Sequence, residues 1–273
     1  MTTELIDRIK HYWNAQPCNV KHSLSEPGTE QYWNEVTERR FFVEPHLRDF
    51  ASFHLWRGKR VLEIGSGIGS DAVEFARHGA DYVGIDLSAE SVTMSQQRFK
   101  LFGLSGEFHV MDGADSAAVA ELGKFDLVYS CGVLHHYPDM TTCLNNIHAA
   151  LVPNGEFRML VYAKNSWKYA MIQKGLDQFE AQSDCPYAKA YSQEEIYDLL
   201  EEKFRVLRIR QDHCFMYNVP KYRKGDYELE PWFAVMPENM RAAVKEYLGW
   251  HLLIKAQKIA AGELTPWNKG KKK

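Results

Sequence analysis

The chain has 273 residues, 45% hydrophobic and 25% charged, which excludes global disorder and fits one elaborated α/β domain. Its formal net charge of -3 offers no domain-wide positive field for nucleic acid, and its five cysteines, odd in number and free of any CxxC pair, indicate neither a disulfide framework nor a zinc knuckle. Residues 1–25 lack the apolar core of a secretion signal and no run approaches the roughly 18 apolar residues of a membrane span, so a cytoplasmic protein without membrane contact is expected.

Residues 1–55 precede the first strand-like run and carry Tyr12, Trp13, Tyr32, Trp33, Phe41 and Phe42. They read as a helical cap over an opening in the following domain, with plain packing on its flank as the equal alternative. From Arg60 onward, short apolar runs alternate with amphipathic stretches, the pattern of βαβ units feeding a mostly parallel sheet. Strands are expected at residues 61–64, 82–86, 106–111, 125–130, 156–162, 205–210 and 252–256, and helices at 71–78, 89–102, 141–151 and 193–203, the last with Ser192 as N-cap. Residues 215–249, broken by Pro220, Pro231 and Pro237 and rich in aromatics, form a long insertion of the kind that covers a site. The predicted division is a cap at 1–55, a domain at 56–262 and a basic tail at 263–273 containing Lys269, Lys271, Lys272 and Lys273.

The first strand runs into Gly65-Ser66-Gly67-Ile68-Gly69. A strand that must reverse into a helix uses backbone conformations without a Cβ penalty, and a cofactor lies on the main chain only where no side chain intervenes. Asp86 closes the next strand about 20 residues on, where an acid accepts hydrogen bonds from the ribose hydroxyls of an adenosyl group. Ser70 stands where a dinucleotide turn needs Gly or Ala, and Glu63 suits a cofactor that has an amino group and no pyrophosphate.

Val61 to Gly69 resembles the first motif of class I S-adenosylmethionine-dependent methyltransferases. Val83 to Ser88 resembles the second, Met111 to Ala114 the adenine-reading turn, and Phe125 to Ser130 the fourth strand. Leu151-Val152-Pro153-Asn154-Gly155-Glu156 stands at the family's Leu-x-Pro-Gly-Gly turn, with Asn154 replacing a glycine. Trp13-Asn14-Ala15-Gln16-Pro17-Cys18-Asn19 resembles a segment of a bacterial subgroup.

The resemblance implies an α/β, Rossmann-like, doubly wound seven-stranded sheet whose last strand is antiparallel. It implies S-adenosylmethionine bound by Glu63, Gly65, Ser66, Gly67 and Gly69, by Asp86 and Leu87 at the ribose, by Asp112 and Gly113 at the adenine, and by Ser130, Cys131 and Val133 beside the sulfonium. Tyr12 joins this set from the cap, which is expected to close over the ligands.

Methyl transfer from a sulfonium is a direct displacement: the acceptor is held in line at about 3–3.5 Å and, where weakly acidic, loses a proton. His135 and His136 follow strand four at the carboxyl edge, where ligands bind in open α/β sheets, and are the candidate bases. They stand equally as residues that shape the loop. Tyr169, with Tyr162 as alternative, is placed to face the sulfonium charge. Asp212 and His213 form a second acid and base pair at the same edge, or ordinary turn residues, and Lys221, Arg223 and Lys224 are available to an acidic substrate group. No metal site is expected.

The function expected is methylation of a small-molecule metabolite in biosynthesis. The alternatives are a lyase or cyclase that releases methylthioadenosine, and a non-catalytic cofactor-binding subunit. A homodimer is one option for its assembly.

Overall fold

The computed structural model describes residues 3–176 and 185–259. The N-terminal segment forms α1 (Thr3–Ala15), α2 (Glu30–Val43) and α3 (His46–Ala51). β1 (Arg60–Ile64) leads into α4 (Ser70–Arg77), β2 (Asp81–Asp86) into α5 (Ala89–Phe102), and β3 (Glu107–Val110) into α6 (Ser116–Glu121). β4 (Phe125–Cys131) precedes a 3-10 turn at Leu134–His136 and α7 (Met140–Ala150), and β5 (Leu151–Tyr162) precedes α8 (Trp167–Gln173) and α9 (Gln193–Leu200). β6 (Phe204–Asp212) is followed by α10 (Val219–Tyr222), α11 (Pro231–Ala234), α12 (Glu238–Leu248) and then β7 (His251–Lys258).

The seven strands form one sheet in the order β3-β2-β1-β4-β5-β7-β6. β1 pairs parallel with β2 and β4, and β7 pairs antiparallel with both β5 and β6, so only β7 runs against the rest. This is the expected Rossmann-like sheet with its last strand reversed. Its topological switch lies between β1 and β4, and a crevice opens there at the carboxyl ends of the strands.

Alternating residues divide the core between two faces. Leu62, Ile64, Val83, Ile85 and Val128 pack on one side with α7 and α9, while Val61, Tyr82, Leu127 and Tyr129 pack on the other against Phe41, Leu47, Phe50, Phe53 and Trp56. Residues of α2, of α3 and of the turn after it thus close one face of the sheet. Polar side chains begin the helices: Ser88 accepts from Ser91 N, Asp115 from Ala117 N and Ala118 N, and Ser192 forms a reciprocal capping box with Glu195.

Two local expectations shift. β5 starts at Leu151, directly after α7, because Asn154 takes a left-handed φ of 60° inside the strand and the register with β4 slips there, where a free turn was expected. The short helices α6 and α8 lacked a periodic apolar pattern long enough to announce them. The basic residues of 263–273 lie outside the described residues.

A buried arginine joins the cap to the sheet domain. Arg98 on α5 donates to Ile68 O (3.1 Å), Ser70 Oγ (3.2 Å) and Trp33 O (3.2 Å), and to Thr37 Oγ1. Its guanidinium lies 4.9 Å from the centroid of the Trp33 ring, and burial pulls its pKa down to about 9.

Candidate active site

The glycine turn is built as its sequence requires. Gly65, Gly67 and Gly69 have φ of 79°, 53° and 76°, the left-handed region that glycine alone enters without penalty. A Cβ at Gly65 would collide with the Val133 side chain, whereas one at Gly67 would meet nothing within 4 Å and would stand in the space above the turn.

Asp86, at the end of β2, anchors this turn: its Oδ2 accepts from Gly67 N (2.9 Å) and its Oδ1 from Ser88 N (2.8 Å). Burial raises its pKa, and these two backbone donors pull the other way. Glu63 is buried at the end of β1, where its Oε2 accepts from Tyr82 OH at 2.6 Å. Desolvation first, then the neighbouring Asp71, holds its carboxyl well above the usual range, and no ion pair reaches it among the described residues.

These groups border one cavity of about 830 Å³. The expected residues it brings together are Tyr12, Glu63, Gly65, Ser66, Gly67, Asp86, Leu87, Cys131, Val133 and His136. Gly69 stands behind the turn as the N-cap of α4, and Ser130 Oγ donates to Ile64 O between strands. Asp112 accepts from Ala114 N (2.8 Å), and Gly113 N donates to Tyr137 OH (3.1 Å); Met111 and Tyr137 line the cavity at this point.

His135 is fully buried with both ring nitrogens lacking a partner among the described residues, its ring centroid 3.8 Å from that of Tyr162, and burial pushes its pKa well below the ordinary histidine value. His136 reaches the cavity. Its Nδ1 lies 2.8 Å from Tyr187 O, which assigns the proton to Nδ1 and leaves Nε2 as the acceptor, and burial pushes its pKa down to about 4. Tyr169 caps against Ser166 through its backbone and lies outside the lining, whereas Tyr162 is part of it and stacks on Trp250 at 4.2 Å.

The far side of the same cavity is polar in a way the sequence did not announce. Arg39 and Arg40 of α2, Glu44 at its C-cap, Lys168 of α8, His213 after β6, Trp250 just before β7 and His251 at its start border it together. Arg40 is held by Asp71 at 2.8 Å. Glu44, His213 and His251 place one ligand atom each within 4.8 Å of one another. Residues about 170 and 40 positions apart carry no spacing signal, and Asp212-His213 alone had marked this edge.

The lining fits an adenosyl-sulfonium cofactor on three counts. Among the described residues, Ser66 Oγ is buried without a partner and no ion pair reaches the Glu63 carboxyl, and the space over Gly67 is open to backbone contact. α1 closes this end: Asn14 Oδ1 accepts from Ser88 Oγ (3.0 Å), and the Trp13 ring meets His136 edge-on at 5.2 Å.

A family profile described as "Methyltransferase domain" matches residues 62–157. The magnesium-protoporphyrin O-methyltransferase of Rhodobacter capsulatus is 33% identical over 197 residues, covering 65% of this chain and 85% of that protein. The ubiquinone biosynthesis O-methyltransferase of Actinobacillus pleuropneumoniae is 28% identical over 137 residues, 45% of this chain and 58% of the relative, so the chain spans little more than half of that protein. Among solved structures, geranyl diphosphate C-methyltransferase of Streptomyces coelicolor superposes with a TM-score of 0.61 at 14% identity, covering 95% of this chain and 100% of that one. Magnesium protoporphyrin IX methyltransferase of Synechocystis, solved with S-adenosylhomocysteine, gives 0.60 at 16% identity over 92% and 98%. At these identities the structural likeness speaks to the fold.

Proposed function

Because this chain belongs to the class I S-adenosylmethionine-dependent methyltransferase family, we propose that it methylates a small-molecule acceptor held beside the cofactor, in a cytoplasmic biosynthetic pathway. One observation carries the reading: a single cavity of about 830 Å³ with two unlike ends. That volume is near the top of the roughly 300–1,000 Å³ of ligand pockets and suits two ligands side by side. The end at β1 and β2 carries the glycine turn, Glu63 and Asp86; the end at β5, β7 and β6 carries Lys168, His213, Trp250 and His251.

Bound S-adenosylmethionine supplies an electrophilic methyl group on a sulfonium. The chain's own residues do the rest. Glu63 takes the cofactor's ammonium, Asp86 its ribose hydroxyls, and Asp112 its adenine amino group, with Met111 and Tyr137 flanking the base. Tyr162, its ring packed on His135 at 3.8 Å and on Trp250 at 4.2 Å, is a fixed part of the wall beside the methyl group. α1 and Trp13 exclude water from the junction, which strengthens each of these contacts. His136, neutral at pH 7, presents Nε2 as a hydrogen-bond acceptor that orients the acceptor molecule; with a pKa of about 4 it is a weak base. The assignment suits acceptors that need alignment more than proton removal.

On this reading residues 1–55 cap a catalytic domain at 56–262, residues 215–249 cover the acceptor end, and the segment from Trp13 to Asn19 marks a subgroup of the family. Purified protein incubated with methyl-labelled S-adenosylmethionine and a panel of hydroxylated, amino and thiol metabolites is expected to yield S-adenosylhomocysteine together with a labelled product, read by mass spectrometry. Methylthioadenosine formed without any acceptor would replace this reading with an intramolecular one.

A further inference from the structure

Three side chains from distant parts of the chain meet where β7 begins. Glu44 ends α2, His213 follows β6, and His251 opens β7 beside Tyr162 of β5. His251 Nε2 lies 3.6 Å from Glu44 Oε1, and the three ligand atoms all fall within 4.8 Å of one another. Ligands at about 2.0–2.2 Å from a tetrahedral ion are about 3.4 Å apart, so the His251–Glu44 edge is near bound geometry and the other edges, none longer than 4.8 Å, would close by at most about 1.4 Å.

Four further features favour an ion there. The His213 and His251 rings stack at 4.5 Å and 21°, with both side chains buried, an arrangement that brings two nitrogen-bearing rings side by side. His46 Nε2 is 3.0 Å from His251 Nδ1, the second-nitrogen hydrogen bond that orients metal-bound histidines and leaves Nε2 toward Glu44. His213 holds a left-handed φ of 68°, uncommon outside glycine and a mark of a residue held for its position. All three candidate ligands border the cavity, which leaves one face of the cluster open.

We propose that Glu44, His213 and His251 bind a divalent first-row transition ion of the zinc type at the acceptor end of the cavity, with His46 positioning His251. Two imidazoles and one carboxylate are the donor set of sites that retain an exchangeable position, and nitrogen donors favour zinc-type ions over magnesium or calcium. β7 lies three strands from β1, about 14 Å at the usual strand spacing, so an ion there sits beyond the cofactor turn. Its open position takes an oxygen or sulfur lone pair of the acceptor and fixes that atom's direction. Ion binding stands on the cluster alone; the role toward the acceptor rests on the proposed methyl transfer.

The test uses full-length protein stripped with a chelator and titrated with zinc alone against a chromophoric competitor, with S-adenosylhomocysteine binding measured separately by calorimetry. One equivalent of zinc is expected. His213→Ala and His251→Ala should weaken it about 100-fold or more, and Glu44→Gln about 10-fold or more, with S-adenosylhomocysteine affinity retained. Replacing the exposed Cys18 and half-buried Cys185 by alanine should leave stoichiometry unchanged. Substoichiometric zinc, or affinity indifferent to Glu44→Gln, overturns the proposal even if a histidine variant fails to fold, because Glu44 is partly exposed. Zinc binding without S-adenosylhomocysteine binding would keep the ion site and remove the methyl-transfer reading instead.

Discussion

Replacing Glu63 by glutamine separates ligand binding from fold stability, because the carboxyl serves them in opposite directions. In the ligand-free chain its pKa is raised by burial and by Asp71, so the native state holds its proton where the unfolded state has lost it. Stability from this group is therefore full below the ordinary carboxylate range and falls as pH rises through the raised native value. Glutamine removes that penalty while its carbonyl still accepts from Tyr82 OH, so the melting temperature of the ligand-free variant should match or exceed that of the parent at pH 7 and lose the part of its pH dependence that Glu63 contributes. A cofactor ammonium has the reverse preference. It favours the ionised carboxylate, so binding should expel a proton, and affinity should climb with pH until the ligand-free pKa is passed. A hydrogen bond to a charged group contributes about 1.5–3 kcal/mol, so Glu63→Gln should weaken S-adenosylhomocysteine about 10- to 150-fold. Calorimetry in two buffers of unlike ionisation enthalpy reads affinity and proton release together. An unchanged Kd in the variant, or a parent protein that binds without proton release in the acid range, would refute the assignment of Glu63 to the ammonium.

Two further outcomes follow from the same site. Gly67→Val places a branched side chain in the space above the turn and strains a φ of 53°, so S-adenosylhomocysteine binding should vanish in calorimetry while circular dichroism shows the sheet retained; preserved affinity would move the ligand off this turn. Among its described side chains helix α1 buries Ile9 alone, and it is tied to the N-cap of α5 through Asn14, so amide exchange over residues 3–15 should slow when S-adenosylhomocysteine is added, and full protection without ligand would make α1 a fixed flank.

The parts of this molecule legible in its sequence are those where a short contiguous stretch must meet a backbone requirement. Gly65, Gly67 and Gly69 each occupy a left-handed position, Asp86 ends a strand at the turn it anchors, and Ser192 begins a helix with Glu195 in reach. Strand positions were readable because parallel strands buried on both faces are continuous apolar runs. What could not be read depends on long-range closure. That Asp86 would bond both Gly67 N and Ser88 N, that Arg98 would tie Trp33 and Thr37 to the cofactor turn, and that Glu44 would meet His213 and His251 are consequences of helices and strands already packed. Tyr162 and Tyr169 were equivalent in sequence, and only the packed fold separates them, with the former at the end of β5 in the cavity wall and the latter on α8 outside it.

The reversed strand imposes an order on synthesis. β7 is the seventh strand to leave the ribosome, yet it lies inside the sheet, and among the described residues it is the strand through which β6 joins the sheet. While β7 is still in the exit tunnel, β5 is an open edge and β6 has no partner, two unpaired borders of the kind that invite association with other nascent chains. Trp250 and His251 arrive with the same strand. The turn that carries Gly65, with Asp86 anchoring it from β2, can therefore be assembled early in translation, while the opposite end of the cavity exists only after the sheet is sealed. A ligand present during synthesis would meet half a site first, and the docking of β7 would complete the other half.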